Sequence, residues 1–94
     1  MSQSSKPAGG GAMPAVSFTT FVLSLASSGM VQLGEVPNPE TGRIEENLEM
    51  ARHTIDMLDM LRQKTLGNLD AEESRILDGT LYELRMKYVV KSKK

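Results

Sequence analysis

The sequence predicts an all-α fold: a three-helix subunit in which helices 2 and 3 form an antiparallel hairpin and an apolar helix 1 dimerises into a helical bundle. Three observations carry this expectation. Apolar residues recur at three- and four-residue spacing in three separate segments, with no competing strand-like alternation. Each segment is bounded by residues that start or stop helices. The 94-residue chain contains no cysteine and one histidine, so disulfides and a structural zinc site are closed to it. For so small a domain that leaves oligomerisation as the source of extra stability.

Residues 1–16 are expected to form a flexible N-terminal tail, because Ser, Gly, Pro and Ala offer little to bury against the entropy of ordering a backbone. They hold one lysine and no apolar run before Val16, so the hydrophobic core of a secretory signal is missing and the expected location is cytoplasmic. A single helical domain is expected over residues 17–91, followed by a basic C-terminal end at residues 92–94.

Helix 1 opens at Ser17, a good N-cap, and closes at Gly34, a good residue just past a helix end. Phe18, Phe21, Val22, Leu25, Ala26, Gly29 and Leu33 form its first apolar stripe. Its other face sets Leu23, Met30 and Val31 among Ser24, Ser27 and Ser28. No charge lies between Lys6 and Glu35, whereas a surface helix normally turns a charged face to water. The first stripe is therefore expected to pack on the chain's own hairpin and the second on another copy, so that neither Leu25 nor Leu23 is exposed. The predicted oligomer interface is Leu23, Ser24, Ser27, Ser28, Met30 and Val31, in which the small pair Ser24 and Ser28 admits a close helix. A membrane span needs about twenty mainly apolar residues. This stretch is shorter and interrupted by Thr19, Thr20, Ser24, Ser27, Ser28 and Gln32, so no span is expected.

Residues 35–43, EVPNPETGR, read as a connector rich in turn residues, with Asn38 capping a short turn that begins at Pro39. Helix 2 is expected from about Ile44 to Leu66, on a stripe of Ile44, Leu48, Ala51, Ile55 and Leu58 widened by Met50, Met57 and Leu61. Gly67 ends it. Asp70 and Glu73 then form a capping-box pair opening helix 3, whose stripe is Leu77, Leu81, Leu84 and Tyr88 flanked by Ile76, Tyr82, Met86 and Val89. The short link forces the hairpin. Gly29 and Gly79 inside their helices are expected to weaken them locally.

Several stretches, SFTTFVLSLASS with VQLGEVPNPETG, NLEMARHTIDMLDML, KTLGNLDAEE and LYELRMKYV, together resemble a family of short bacterial cytosolic proteins, the domain of unknown function 1844. The resemblance spans about residues 16–90. It implies a bacterial, cytosolic protein and brings no activity, ligand or catalytic residue with it.

No chemistry is written into the chain. Cysteine is absent, no serine sits in a nucleophile elbow, and the GGG at residues 9–11 precedes neither a strand nor a Lys-Ser/Thr pair. No catalytic residue, metal ligand or cofactor is expected, and the protein is not expected to be an enzyme. Glu49, His53 and Asp56 share one face of helix 2 like half of a carboxylate-histidine metal site, but lack the Glu-x-x-His spacing of di-iron bundles and equally make an ordinary exposed pair. Met30, Met50, Met57, Met60 and Met86 would line an adaptable apolar groove or, more ordinarily, fill a core. Asn47 and Thr54, beside the helix 2 stripe, would fix a helix register or face solvent.

Net charge is −1, which gives no global attraction to nucleic acid or acidic lipid. Residues 35–84 hold all twelve acidic residues, while Arg85, Lys87, Lys91, Lys93 and Lys94 crowd the last ten positions. The functional expectation is thus a homo-oligomeric protein-interaction module, most simply a dimer, with an unidentified protein partner. The alternative is weak association with nucleic acid through the basic end, set against the simpler role of cations at a helix C-terminus.

Overall fold

A computed structural model describes residues 16–93, so the expected tail of residues 1–16 lies almost wholly outside the described residues. Three helices account for the fold: α1 (Phe18–Gln32), α2 (Leu48–Lys64) and α3 (Ala71–Ser92), each packed against the other two. No strand occurs among the described residues.

The boundaries follow from capping chemistry. Ser17 and Thr20 form a reciprocal box at the start of α1: the Thr20 N–H donates to Ser17 Oγ at 3.1 Å and the Ser17 N–H to Thr20 Oγ1 at 3.1 Å. At the other end Gly34 takes φ 77°. Its N–H donates to the Val31 carbonyl at 2.9 Å and the Glu35 N–H to the Met30 carbonyl at 2.9 Å, the paired bonds of a Schellman closure. Asp70 and Glu73 form the expected box at the start of α3.

Helix α2 begins four residues later than expected. The apolar spacing runs back to Ile44, but Asn47 interrupts it by capping: its Oδ1 accepts the Met50 N–H at 3.1 Å. The Asn47 N–H meanwhile donates to the Gln32 carbonyl at 2.7 Å, tying the incoming backbone to the end of α1. Ile44 therefore lies outside the helix and is 57% exposed. The C-terminal end also comes earlier, with Thr65 as C-cap and Gly67 at φ 85° completing the turn.

The core is contained within one chain. Val22 and Leu33, Ala51, Ile55 and Leu58, and Leu77, Leu81 and Leu84 are buried together, with Phe18, Leu25, Met30, Leu48, Leu69, Ile76 and Tyr88 packed around them. Cutting Leu58 or Leu81 back to Ala would cost about 2–5 kcal/mol. Helices α2 and α3 run antiparallel, with Arg62 on Asp78 at 2.7 Å and Arg85 on Asp59 at 2.9 Å lacing one side. The α1 stripe is narrower than expected: Val22, Gly29 and Leu33 are buried, Leu25 and Ala26 are half-buried, and Phe21 is 50% exposed. Phe21 stands about 100° around the helix from Val22, which carries it past the edge of the contact.

Candidate self-association surface

With Val22 and Gly29 turned inward, the opposite side of α1 faces solvent. Thr20, Ser24, Ser27 and Val31 follow one another at four-three-four spacing along its middle. Larger side chains flank this line, Leu23 and Met30 on one side and Phe21 on the other. Of the six predicted interface residues, Leu23 (47% exposed), Ser24, Ser27 and Ser28 lie open, while Val31 and Met30 are half-buried. Met30 also packs against the subunit's own core. The surface is thus continuous, and Leu23 lies open in the single chain because one hairpin covers only one side of α1.

The electrostatics of α1 differ from those of its neighbours. It has no acidic residue in its first turn and no basic residue in its last. Helix α2 has Glu49 at its start and Arg62 and Lys64 at its end, and α3 has Glu72 and Glu73 at its start and Lys91 at its end. Only α1 lacks charges matched to its own dipole.

Beside the C-terminal half of α1 the connector bends away and leaves an open groove of about 520 Å³, in which Ser27, Ser28, Val31 and Met50 face a largely polar wall that includes Glu40, Glu45 and Glu46. Glu45 sets the connector's path, accepting from Asn38 Nδ2 at 3.1 Å, Thr41 Oγ1 at 3.0 Å and Arg43 Nη2 at 3.4 Å. Asn38 makes the expected turn, its Oδ1 accepting the Glu40 N–H at 2.8 Å.

The other sequence candidates are dispersed. Glu49, His53 and Asp56 are all exposed on α2, and Asp56 faces Arg52 at 3.8 Å. Among the described residues no group of three or more His, Cys, Asp or Glu is placed to hold a metal ion. The methionines share no single groove: Met50 lines the one beside α1, whereas Met86 lines another with Tyr82 and Val89 on α3. Thr54 is buried, and its Oγ1 donates to Gln32 Oε1 at 2.7 Å, a polar link between α2 and α1.

Much of the basic segment is engaged within the chain. Lys91 Nζ lies 3.6 Å from Glu35 and 3.9 Å from Glu46, and Lys87 Nζ lies 3.9 Å from both Glu35 and Glu83. The pairs to Glu35 and Glu46 join the connector to α3, while that to Glu83 lies within α3. Nothing local in the sequence announces them, because Glu35 and Lys91 meet only through the tertiary fold. No helix among the described residues is long and apolar enough to cross a membrane.

Three mutually packed helices with an open, uncharged N-terminal helix define a small all-α domain. The chain belongs to the family described as domain of unknown function (DUF1844), which it matches over residues 15–90. Comparison with curated proteins and with solved structures finds no match.

Proposed function

We propose that the protein is a self-associating helical interaction module, a homodimer that binds a further protein and performs no catalysis, working in the bacterial cytoplasm. The observation that carries this is the outer face of α1, which is apolar or hydroxylic along its length and leaves Phe21 and Leu23 about half exposed. A continuous face of this kind is characteristic of contact surfaces. The bacterial and cytoplasmic setting rests on the family resemblance. The non-catalytic reading is supported by the exposure of Glu49, His53 and Asp56 on α2, which leaves these side chains in solvent rather than in an enclosed site among the described residues.

Sedimentation equilibrium on the full-length chain tests the proposal. The wild type should sediment as a dimer, and Leu23→Glu, by placing a carboxylate in the contact, should give a monomer. Because the core is complete within one chain, that monomer should keep its helicity by circular dichroism. A Leu23→Glu variant as associated as its parent would sink the proposal. Nucleic-acid association through the basic end is the weaker alternative, since Lys87 and Lys91 already face Glu35, Glu46 and Glu83. Binding that falls steeply with added salt would restore it.

A further inference from the structure

The connector between α1 and α2 divides into a body and a base of unequal strength. In the body, the chain closes on itself. The Asn38 N–H donates to the Arg43 carbonyl at 2.8 Å and the Gly42 N–H to the Asn38 carbonyl at 2.7 Å. Glu45 gathers Asn38, Thr41 and Arg43, and Asn38 Oδ1 accepts the Glu40 N–H. Pro37 and Pro39 remove further backbone freedom. Among the described residues, every hydrogen bond and ion pair of residues 36–45 stays within that segment. The ends of the loop also meet, since a Cβ on Gly34 would lie 3.3 Å from Glu46 Cβ. A compact surface loop of this kind carries its own shape.

The base is fastened differently. Both ends are bonded to the last turn of α1: the Glu35 N–H donates to the Met30 carbonyl at 2.9 Å and the Asn47 N–H to the Gln32 carbonyl at 2.7 Å. Two fixed points on one helix end define a hinge line. The charged restraint on rotation about it comes from α3, where Lys87 and Lys91 reach Glu35 and Lys91 reaches Glu46, at 3.6–3.9 Å. These contacts are too long for hydrogen bonds, and ion pairs at such exposure each contribute little. Lys87 also divides its charge between Glu35 and Glu83, both at 3.9 Å.

The groove beside Ser28 lies on the other side of this loop. Its walls are α1, Met50 at the start of α2, and the connector itself from Asn38 to Asn47, with no α3 residue among them. The clasp therefore draws on the loop from the side away from the groove. Because it acts next to the hinge, a small rotation there becomes a larger displacement at Glu40.

We infer that residues 36–45 are a rigid flap, hinged at Glu35 and Asn47 on the end of α1, whose angle is set by the ionic clasp of Lys87 and Lys91 on Glu35 and Glu46. Neutralising or screening the clasp lets the flap swing from α3 towards Met50. Pro39 then approaches the apolar wall of Val31 and Met50, and the groove narrows. The short bonds of the body outlast the long contacts of the clasp, so the flap moves as a unit before it melts. The groove is thereby coupled to the charge on two lysines that do not line it.

The chain has no cysteine, so a nitroxide pair on full-length Glu40→Cys/His53→Cys reads the flap against the exposed side of α2. Labelled chain is diluted with unlabelled chain so that double electron–electron resonance measures distances within one copy, and circular dichroism confirms folding. Adding Lys87→Met and Lys91→Met should shift the distance to shorter values without broadening its distribution. The labelled pair with its clasp intact, in 1 M salt where screening acts over about 3 Å, should shift the same way. Glu45→Ala, which removes the acceptor that closes the loop, should broaden the distribution instead. An unchanged distance in both arms would overturn the clasp. A longer distance would overturn the narrowing of the groove. Broadening on clasp release, like that of Glu45→Ala, would show that the loop melts rather than swings and would overturn the rigid flap.

Discussion

Gly29 and Leu84 meet so closely that a Cβ on Gly29 would sit 3.0 Å from Leu84 Cδ1 and 3.2 Å from Cδ2. This contact lets the backbone of α1 approach α3, and it accounts for a helix-interior glycine that propensity alone would disfavour. Gly79 is the contrasting case, with nothing within 4 Å of an added Cβ. Gly29→Ala should therefore destabilise by about 1–2 kcal/mol, the overpacking of buried Leu84 outweighing the gain in propensity. Gly79→Ala should stabilise by up to about 1 kcal/mol. Urea unfolding of the two variants side by side checks the pair, and the same sign for both would contradict the packing described.

Thr54 and Gln32 should behave as a coupled pair. Thr54→Val keeps the shape but strips the donor from Gln32 Oε1, so a loss of about 1–2 kcal/mol is expected. Once Gln32→Leu has removed the acceptor, the same change should cost much less, because no polar atom is left stranded. A double-mutant cycle with no coupling energy would mean the bond contributes nothing to stability.

Lys91 links the connector to α3 through two carboxylates at long range, with its own side chain 21% exposed. Lys91→Met should cost less than about 1 kcal/mol, the usual size for partly exposed ion pairs. The deficit should shrink in 1 M salt, where screening acts over about 3 Å. Hydrogen exchange at residues 35–46 should accelerate more than exchange in α2. Uniform acceleration would show that the pairs stabilise the whole domain rather than hold the connector.

Deleting residues 1–15 should move the melting temperature by no more than a few degrees, given a composition with little to bury. Treatment with EDTA should leave melting and helicity unchanged. A metal-dependent shift abolished by His53→Ala would restore the carboxylate-histidine site on α2.

What the sequence disclosed was mostly local. The box at Asp70 and Glu73, the cap at Ser17 and the glycine after α1 depend on groups a few residues apart, and all three are found. The start of α2 was harder to read because Asn47 suits both a helix flank and a cap, and the apolar period continued past it to Ile44. Phe21 and Leu25 looked equivalent on the α1 stripe, yet only a neighbouring helix decides where such a stripe ends. Of the candidate surface, the outer face of α1 was legible from its missing charges. The groove beside Ser28 was not, since it depends on where Glu45 holds the connector.

The order of the helices also bears on synthesis. α1 leaves the ribosome first, yet the residues that cover Val22 and Leu33 belong to α2 and α3 and extend to Leu84. At translation rates of 5–20 residues per second, those last partners follow roughly 3–10 s after α1 is complete. Throughout that interval a helix without a single charge has no hairpin to rest on. Nascent α1 is therefore the stretch of this chain most in need of a chaperone's shelter, and a charge placed at Ser24 or Ser27, both open in the folded chain, would ease its passage without entering the core.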